Sequence, residues 1–386
     1  MIYLDNAATS YPKPQEVIDA INDCVKHCGA NPGRGTYSMA MKSARILYTA
    51  RERLARLFNV SDSKNIILTS NATWALNMAI KGVVKEGDQV ITTMVEHNSV
   101  LRPLAWLEEH SNIEVTKVDC FENGLLDMAM LHSSIKENTA LIAVNHASNI
   151  IGGILRIDEI SAVAKENQIP ILVDAAQTAG CRHIDVEKLG IDLLAFAGHK
   201  SLLGPQGTGG LYISPNIEVE ELIQGGTGTE SGGPQPGSRP ERYEAGTPNT
   251  AGIAGLGAGI EVIMNEGLEA IRKREKALID RLIEGLMEIP ALTIYGPKPG
   301  EDRVPLVAVN LEGMTCHMLA HALDKAFDIA ARGGLHCAPD AHKVMGTENT
   351  GALRLSLGFF NTEKEIDDTI MAMEKIAKDS RVKTHP

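Results

Sequence analysis

A chain of 386 residues, 44% hydrophobic and 22% charged, has a globular composition and the length for two sizeable cores, which excludes a disordered or fibrous class. Its net charge of −12 argues against nucleic acid or an anionic membrane as partner and leaves small molecules or a basic protein. No apolar run approaches the ~20 residues of a membrane span, Met1-Ile2-Tyr3-Leu4-Asp5 does not resemble a signal peptide, and the scattered Cys24, Cys28, Cys120, Cys181, Cys316 and Cys337 suit reduced thiols in a cytoplasmic protein.

The opening residues predict a short strand and a polar loop, and Pro14 suits the first turn of a helix through Val17, Ile18, Ile21 and Val25. A glycine-rich loop carrying Arg34 follows, then a helical pattern from Met39 to Phe58. Asn65–Thr69 reads as a strand. The turn Ser70-Asn71-Ala72-Thr73, ahead of a helix from Trp74, offers either a phosphate cradle or a plain cap by Ser70 or Thr73. Further strands are expected at Gln89–Thr93, leading to His97, at Ile113–Val118, and at Ala140–Val144, leading to Asn149.

The unbroken run Ile169-Pro170-Ile171-Leu172-Val173 has the length and β-branched content of a strand buried on both faces, and it stops at Asp174. A second run, Asp192–Phe196, leads through Ala197-Gly198-His199 to Lys200. An acid and an amine at two strand ends meet where open α/β sheets bind ligands. That pairing suits pyridoxal phosphate, with the lysine forming a Schiff base and the acid keeping the pyridine nitrogen protonated. A buried salt bridge, or a lysine on a solvated loop, accounts for the same letters.

The stretch Gly204–Gly210 fits neither a dinucleotide fingerprint nor a P-loop, and Leu211–Ile213 is a further strand. Ile223–Gly246 is a long loop with Arg239, Arg242 and Tyr243, of the kind found at functional sites or interfaces. One unbroken helix, Ala251–Leu286, is expected to lead into a smaller α+β unit. That unit reads as strand Val304–Leu311, helix Met318–Phe327, loop Arg332–Gly346, strand Ala352–Leu357, helix Glu363–Ile376 and a frayed tail from Lys378.

Glycines and a proline around Leu335-His336-Cys337-Ala338 make Cys337 an accessible loop cysteine, and Arg332 and His336 are placed to lower its pKa. An ordinary loop thiol is the alternative. A zinc site from His317, His321, Cys337 and His342 matches no known ligand spacing, and no metal is expected.

Asp174-Ala175-Ala176-Gln177, Ala197-Gly198-His199-Lys200, Arg242 to Asn249 and Arg332 to Pro339 occur in order across most of the chain. Together they resemble the class V aminotransferase family of fold-type I pyridoxal phosphate enzymes, in its cysteine desulfurase and selenocysteine lyase branch. The short cysteine loop is similar to that of group II members. The resemblance implies an α/β fold with a mainly parallel seven-stranded sheet in a large cofactor domain (15–257). Residues 1–14 and 258–386 would form the small domain that carries the cysteine loop.

It implies that Lys200 bonds the cofactor and moves protons, that Asp174 pairs with the pyridinium nitrogen, and that Gln177 bonds the phenolic oxygen. His97 would stack on the ring and act in acid/base chemistry. Ala72, Thr73, His199 and, from the second subunit of a homodimer, Thr247 would hold the phosphate. Asn149, Arg332 and Arg354 would bind the substrate, and Cys337 would take sulfur from L-cysteine as a persulfide for a protein acceptor. Selenocysteine lyase activity and an inactive sulfur-carrier scaffold are the alternative readings. The sequence departs from the family pattern at Ala197, Ala72 and Trp74, where a serine, a threonine and an acidic residue are frequent, so phosphate binding rests more on backbone N–H groups.

Overall fold

A computed structural model of the chain describes residues 1–33, 35–228 and 232–384, so Arg34 lies outside the described residues. The run ending at Asp174 forms the strand Ile171–Asp174 at the middle of a seven-stranded sheet. From one edge the strand order is Ile66–Thr69, Gly209–Ile213, Leu193–Ala197, Ile171–Asp174, Thr139–Asn145, Gln89–Thr93 and Glu114–Val118. Strand neighbours pair in parallel except Gly209–Ile213, which is antiparallel to both of its partners.

Side-chain alternation explains the unbroken apolar runs. Ile171, Val173, Ile142, Val144, Leu194 and Phe196 enter the core on one face of the sheet. Leu172, Leu141, Ala143, Leu193 and Ala195 enter the core on the other. Both faces are therefore dry, and each large aliphatic side chain buried there contributes about 1.5–3 kcal/mol. Parallel strands also bring their carboxyl ends to one edge, which is where Asp174, Lys200, His97, Asn149 and the Asn71–Thr73 turn arrive.

The smaller unit has a four-stranded antiparallel sheet in the order Arg332–Gly334, Ala352–Ser356, Leu306–Leu311, Leu292–Tyr295. Its core joins Leu278, Leu282, Val307, Val309, Leu353 and Leu355 to Leu4 near the chain start. The N-terminal strand Ile2–Tyr3 pairs in parallel with Ile329–Ala330 and ties the first residues to this unit. Among the described residues no helix is long and apolar enough to cross a membrane.

Several elements differ from the expectations. The helix expected over Ala251–Leu286 is two helices, Thr250–Glu266 and Leu268–Met287, divided at Gly267. That residue has φ +85° and donates its N–H to the Ile263 carbonyl (2.8 Å), so a left-handed glycine closes the first helix. The loop Arg332–Gly346 contains a three-residue strand, Arg332–Gly334, and a short helix, Pro339–Val344. The half-exposed strand Leu292–Tyr295, four residues long, is too short for its alternation to announce it. The helix expected from Trp74 begins at Ala72, capped by the Asn71 side chain rather than by Ser70 or Thr73. The last helix runs to Thr384 instead of fraying at Lys378.

Gly180 has φ +97°, and a Cβ there would press on the Ser201 carbonyl and the Leu202 N–H, immediately after Lys200. Gly180→Ala is expected to cost roughly 3 kcal/mol through left-handed strain and overpacking. A denaturant melt reads this loss, and a melt matching wild type would show that the turn tolerates a side chain.

Candidate active site

The carboxyl edge of the large sheet and the cysteine loop of the smaller unit enclose a cavity of about 220 Å³. Asp174 and Lys200 line it together. Burial pushes the Asp174 carboxyl up from its usual range, while the Ala176 N–H, donating to Oδ1 at 2.9 Å, and the Lys200 charge hold it down. Lys200 is half-buried, and desolvation lowers its pKa to about 8 against the pull of Asp174. Its backbone is strapped to the N-terminal segment by the Ser10 hydroxyl, which donates to the Lys200 carbonyl (2.8 Å), and by Lys13 Nζ, which donates to the His199 carbonyl (2.9 Å).

A helix start forms one end of the cavity. Asn71 takes the Trp74 N–H (2.9 Å), and the Ala72 and Thr73 N–H groups have no acceptor among the described residues. His199 lies beside them with a buried Nδ1 that has no partner among the described residues. Free N–H groups at the positive end of a helix, with an unpaired imidazole nitrogen, suit a phosphate.

His97 caps the helix Asn98–His110. Its Nδ1 accepts the Ser99 N–H (3.0 Å), so the proton of the neutral ring sits on Nε2. Burial, then the charges of Lys200, Arg332, Arg354 and Arg102, lowers its pKa to about 4, and the ring is neutral at physiological pH. Gln177 donates one Nε2 hydrogen to the Ala7 carbonyl (3.1 Å), which leaves its second N–H and its side-chain oxygen for other partners.

Asn149, Arg332, Arg354 and Cys337 complete the wall. Arg354 is 1% exposed, and burial lowers its pKa. Its Nη2 pairs with Asp5 (2.7 Å), its Nη1 donates to the Asn149 carbonyl (2.9 Å), and its Nε has no partner among the described residues. Cys337 is exposed, as expected of a loop thiol. His336 does not supply the positive charge expected beside it. Its ring is buried, Nε2 meets the Ala352 carbonyl (3.0 Å), and desolvation lowers its pKa to about 3. Lys200, Arg332 and Arg354 are the cations around the thiol's cavity.

Thr247 does not join them within one chain. It is exposed and does not line the cavity, and its hydroxyl meets Asn31 Nδ2 at 3.5 Å. Among the described residues no group of three or more His, Cys, Asp or Glu side chains is placed to hold a metal ion, and His342, weighed for zinc, is buried against the Thr347 hydroxyl (2.7 Å).

Two contributors are absent from the sequence reading. Asp5, partner of Arg354, is 349 positions away, so no spacing reveals the pair. Glu96 is buried beneath the site with Oε1 accepting from the Thr93 hydroxyl (2.7 Å) and the Asn145 N–H (2.8 Å), and burial raises its pKa to about 8. Its position next to His97 was the only available signal.

A half-buried lysine, an acid lining the same cavity and a helix start with free N–H groups sit on a mainly parallel sheet, and the chain belongs to the class V aminotransferase family, whose model matches residues 2–369. Members of this family depend on pyridoxal phosphate and have fold-type I architecture. The chain is 35% identical to a probable cysteine desulfurase of Methanothermobacter thermautotrophicus, over 97% of this chain and 94% of the relative. It is also 35% identical to one of Pyrococcus abyssi, over 99% and 95%. Among solved structures, the apo cysteine desulfurase of Thermococcus onnurineus NA1 superposes with a TM-score of 0.92 at 33% identity, covering 98% of this chain and 95% of that one. A cysteine desulfurase of Escherichia coli in an S-sulfonic acid form gives 0.88 at 28% identity, over 97% and 94%.

With the Lys200 pKa lowered to about 8, the amine loses its proton well below the ordinary lysine range. Only the neutral amine attacks an aldehyde, so the rate at which apoprotein captures pyridoxal phosphate should rise with pH and level off above about 8. Following the growing absorbance band from pH 6 to 10 measures this; a rate still climbing steeply at pH 10 would mean that Lys200 is solvated.

Proposed function

We propose that this chain is a pyridoxal phosphate-dependent cysteine desulfurase, which converts L-cysteine to L-alanine and leaves the sulfur on Cys337 as a persulfide. The observation that carries the reading is that Cys337 and Lys200, from separate units of the fold, line one cavity. The donor set fits the cofactor. Ala72 and Thr73 N–H groups and the unpaired His199 Nδ1 suit its phosphate, Asp174 its ring nitrogen, Gln177 its phenolic oxygen, and the neutral His97 ring its face.

When bound, the cofactor supplies an electron sink for the pair released at the substrate α-carbon. Arg354, already oriented by Asp5, receives the substrate carboxylate, and its free Nε is one donor for it. Arg332 adds a second positive charge on the same wall, and Asn149 flanks the carboxylate. The Lys200 amine, unprotonated near pH 8, is placed to accept the α-proton and later return a proton to carbon. Deprotonated Cys337 sulfur forms a bond to the substrate sulfur as the bond from that sulfur to the β-carbon breaks. The β-carbon takes a proton and alanine leaves. Exposure of Cys337 then allows a thiolate on an acceptor protein to take the outer sulfur by exchange.

The same reading makes the working unit a homodimer. Thr247 is exposed away from its own chain's cavity, and Ile18, Val25, Tyr37, Met39, Met41 and Tyr48 leave apolar surface uncovered around the first two helices. A second copy that covers this surface can deliver Thr247 to the neighbouring phosphate turn. Sedimentation equilibrium should give twice the mass of one chain, and Thr247→Ala should raise the dissociation constant for the cofactor about tenfold, the loss of one charge-assisted hydrogen bond. A monomer that retains cofactor normally contradicts this arrangement.

Purified protein given L-cysteine should form alanine and one persulfide on Cys337. Cys337→Ser should lose both products but keep the cofactor's absorbance band, whereas Lys200→Ala should lose the band as well. Alanine formed at the wild-type rate by Cys337→Ser would displace Cys337 as nucleophile, and turnover of selenocysteine alone would favour the lyase.

A further inference from the structure

The turn that presents Cys337 is bent in a way L side chains resist. His336 has φ +50° and Cys337 φ +57°, two successive non-glycine residues in the left-handed region. Such a pair persists only where its surroundings hold it.

The Ala338 N–H closes the turn on the Leu335 carbonyl (3.0 Å), and three hydrogen bonds that reach outside the turn hold it in place. The Cys337 carbonyl accepts the Asn98 N–H (2.8 Å), at the start of the helix that His97 caps. The His336 ring meets the Ala352 carbonyl through Nε2 (3.0 Å). The His336 carbonyl accepts from Asn149 Nδ2 at 2.7 Å. Of these three, only the last comes from a side chain of the opposing wall. Asn149 is itself fixed, because its own carbonyl takes Arg354 Nη1 (2.9 Å) and the residue is 7% exposed. Its amide therefore joins the arginine side of the cavity to the peptide that precedes the thiol.

We infer that Asn149 is a positioning residue for Cys337: its Nδ2 donor holds the left-handed turn that turns the thiol into the cavity, independently of any contact it makes with substrate. The contact orders a strained loop before substrate arrives. Removing the donor leaves the His336 carbonyl unpaired in a buried place, and the turn opens toward extended conformations that need no such support.

The inference rests on Cys337 being the nucleophile, and its test uses substrate-free protein loaded with cofactor. Wild type, Asn149→Ala and Asn149→Asp are compared by hydrogen exchange of the peptide spanning Gly333 to Ala338 and by the rate of iodoacetamide modification of Cys337. Peptide mass mapping separates this thiol from Cys24, Cys28, Cys181 and Cys316, which are buried, and from the half-buried Cys120. Asn149→Asp keeps the side chain's size but removes the donor, so it reads the hydrogen bond even where the alanine variant is poorly folded; retained absorbance and melting temperature check folding in each.

Both variants should exchange and alkylate about five- to tenfold faster than wild type, the effect of losing one hydrogen bond. Rates within twofold of wild type in folded Asn149→Asp, whatever its activity, would overturn the inference and confine Asn149 to substrate binding. Alanine formation by wild type is measured alongside. Its failure, with a loop that still responds to Asn149, would remove the desulfurase reading and leave the contact standing.

Discussion

Lys200 is an amine brought out of bulk water and set opposite a buried carboxylate, and the rest of the site is arranged around that balance. Desolvation favours the neutral amine, while Asp174 favours the charged one, so the group is poised close to working pH instead of two units above it. Burial pushes the Asp174 carboxyl up, and one backbone donor and the lysine itself oppose that rise. Neither group would hold this state on a solvated loop. The seven-stranded sheet, dry on both faces, supplies the low-dielectric floor, and its parallel strands bring both groups to one edge.

The thiol proposed as nucleophile comes from elsewhere. Cys337 sits on a loop of the smaller unit, and that loop is tied to the large one by the Asn98 N–H, by Asn149 and by the ion pair of Lys117 with Asp340 (2.6 Å). Asp340 is 4% exposed and is met from the other side by Lys343 (2.7 Å), so its charge is well compensated. A thiol that must enter a closed cavity and then hand its sulfur outward needs a loop accurate at its ends and exposed at its tip. Anchors on both flanks of Cys337 satisfy this, and they explain why a left-handed pair without glycine survives there.

The N-terminal strand contributes more than its length suggests. Ile2 and Tyr3 pair with residues of the C-terminal half, Asp5 orients Arg354, and Ser10 and Lys13 fix the backbone at His199 and Lys200. A segment of a dozen residues thereby couples the Arg354 side of the cavity to the Lys200 side. The neutral rings of His97 and His336 belong to the same economy of charge, since burial among cations leaves no room for further protons.

Much of this was legible in the letters. Hydrophobic runs located the strands, their unbroken character announced burial on both faces, and the residues that ended them, Asp174 and Lys200, named the cofactor chemistry before any coordinates. Local reasoning failed where the deciding fact was not local. Gly267 divides a pattern that reads as one helix, and Leu292–Tyr295 becomes a strand only because Leu306–Leu311 offers it an edge. His336 reads as a charge for its neighbour, and burial makes it neutral.

The sequence by itself determined where most strands of the large sheet lie along the chain, the residue types that can do this chemistry and their placement at strand ends, because periodicity and turn chemistry act over a few residues. Tertiary structure alone decided that Asp5 meets Arg354, that Asn149 meets the His336 carbonyl, and that Cys337 enters the cavity of Lys200. Those contacts join positions more than a hundred residues apart, and they exist only because two separate cores pack with their loops facing one cavity.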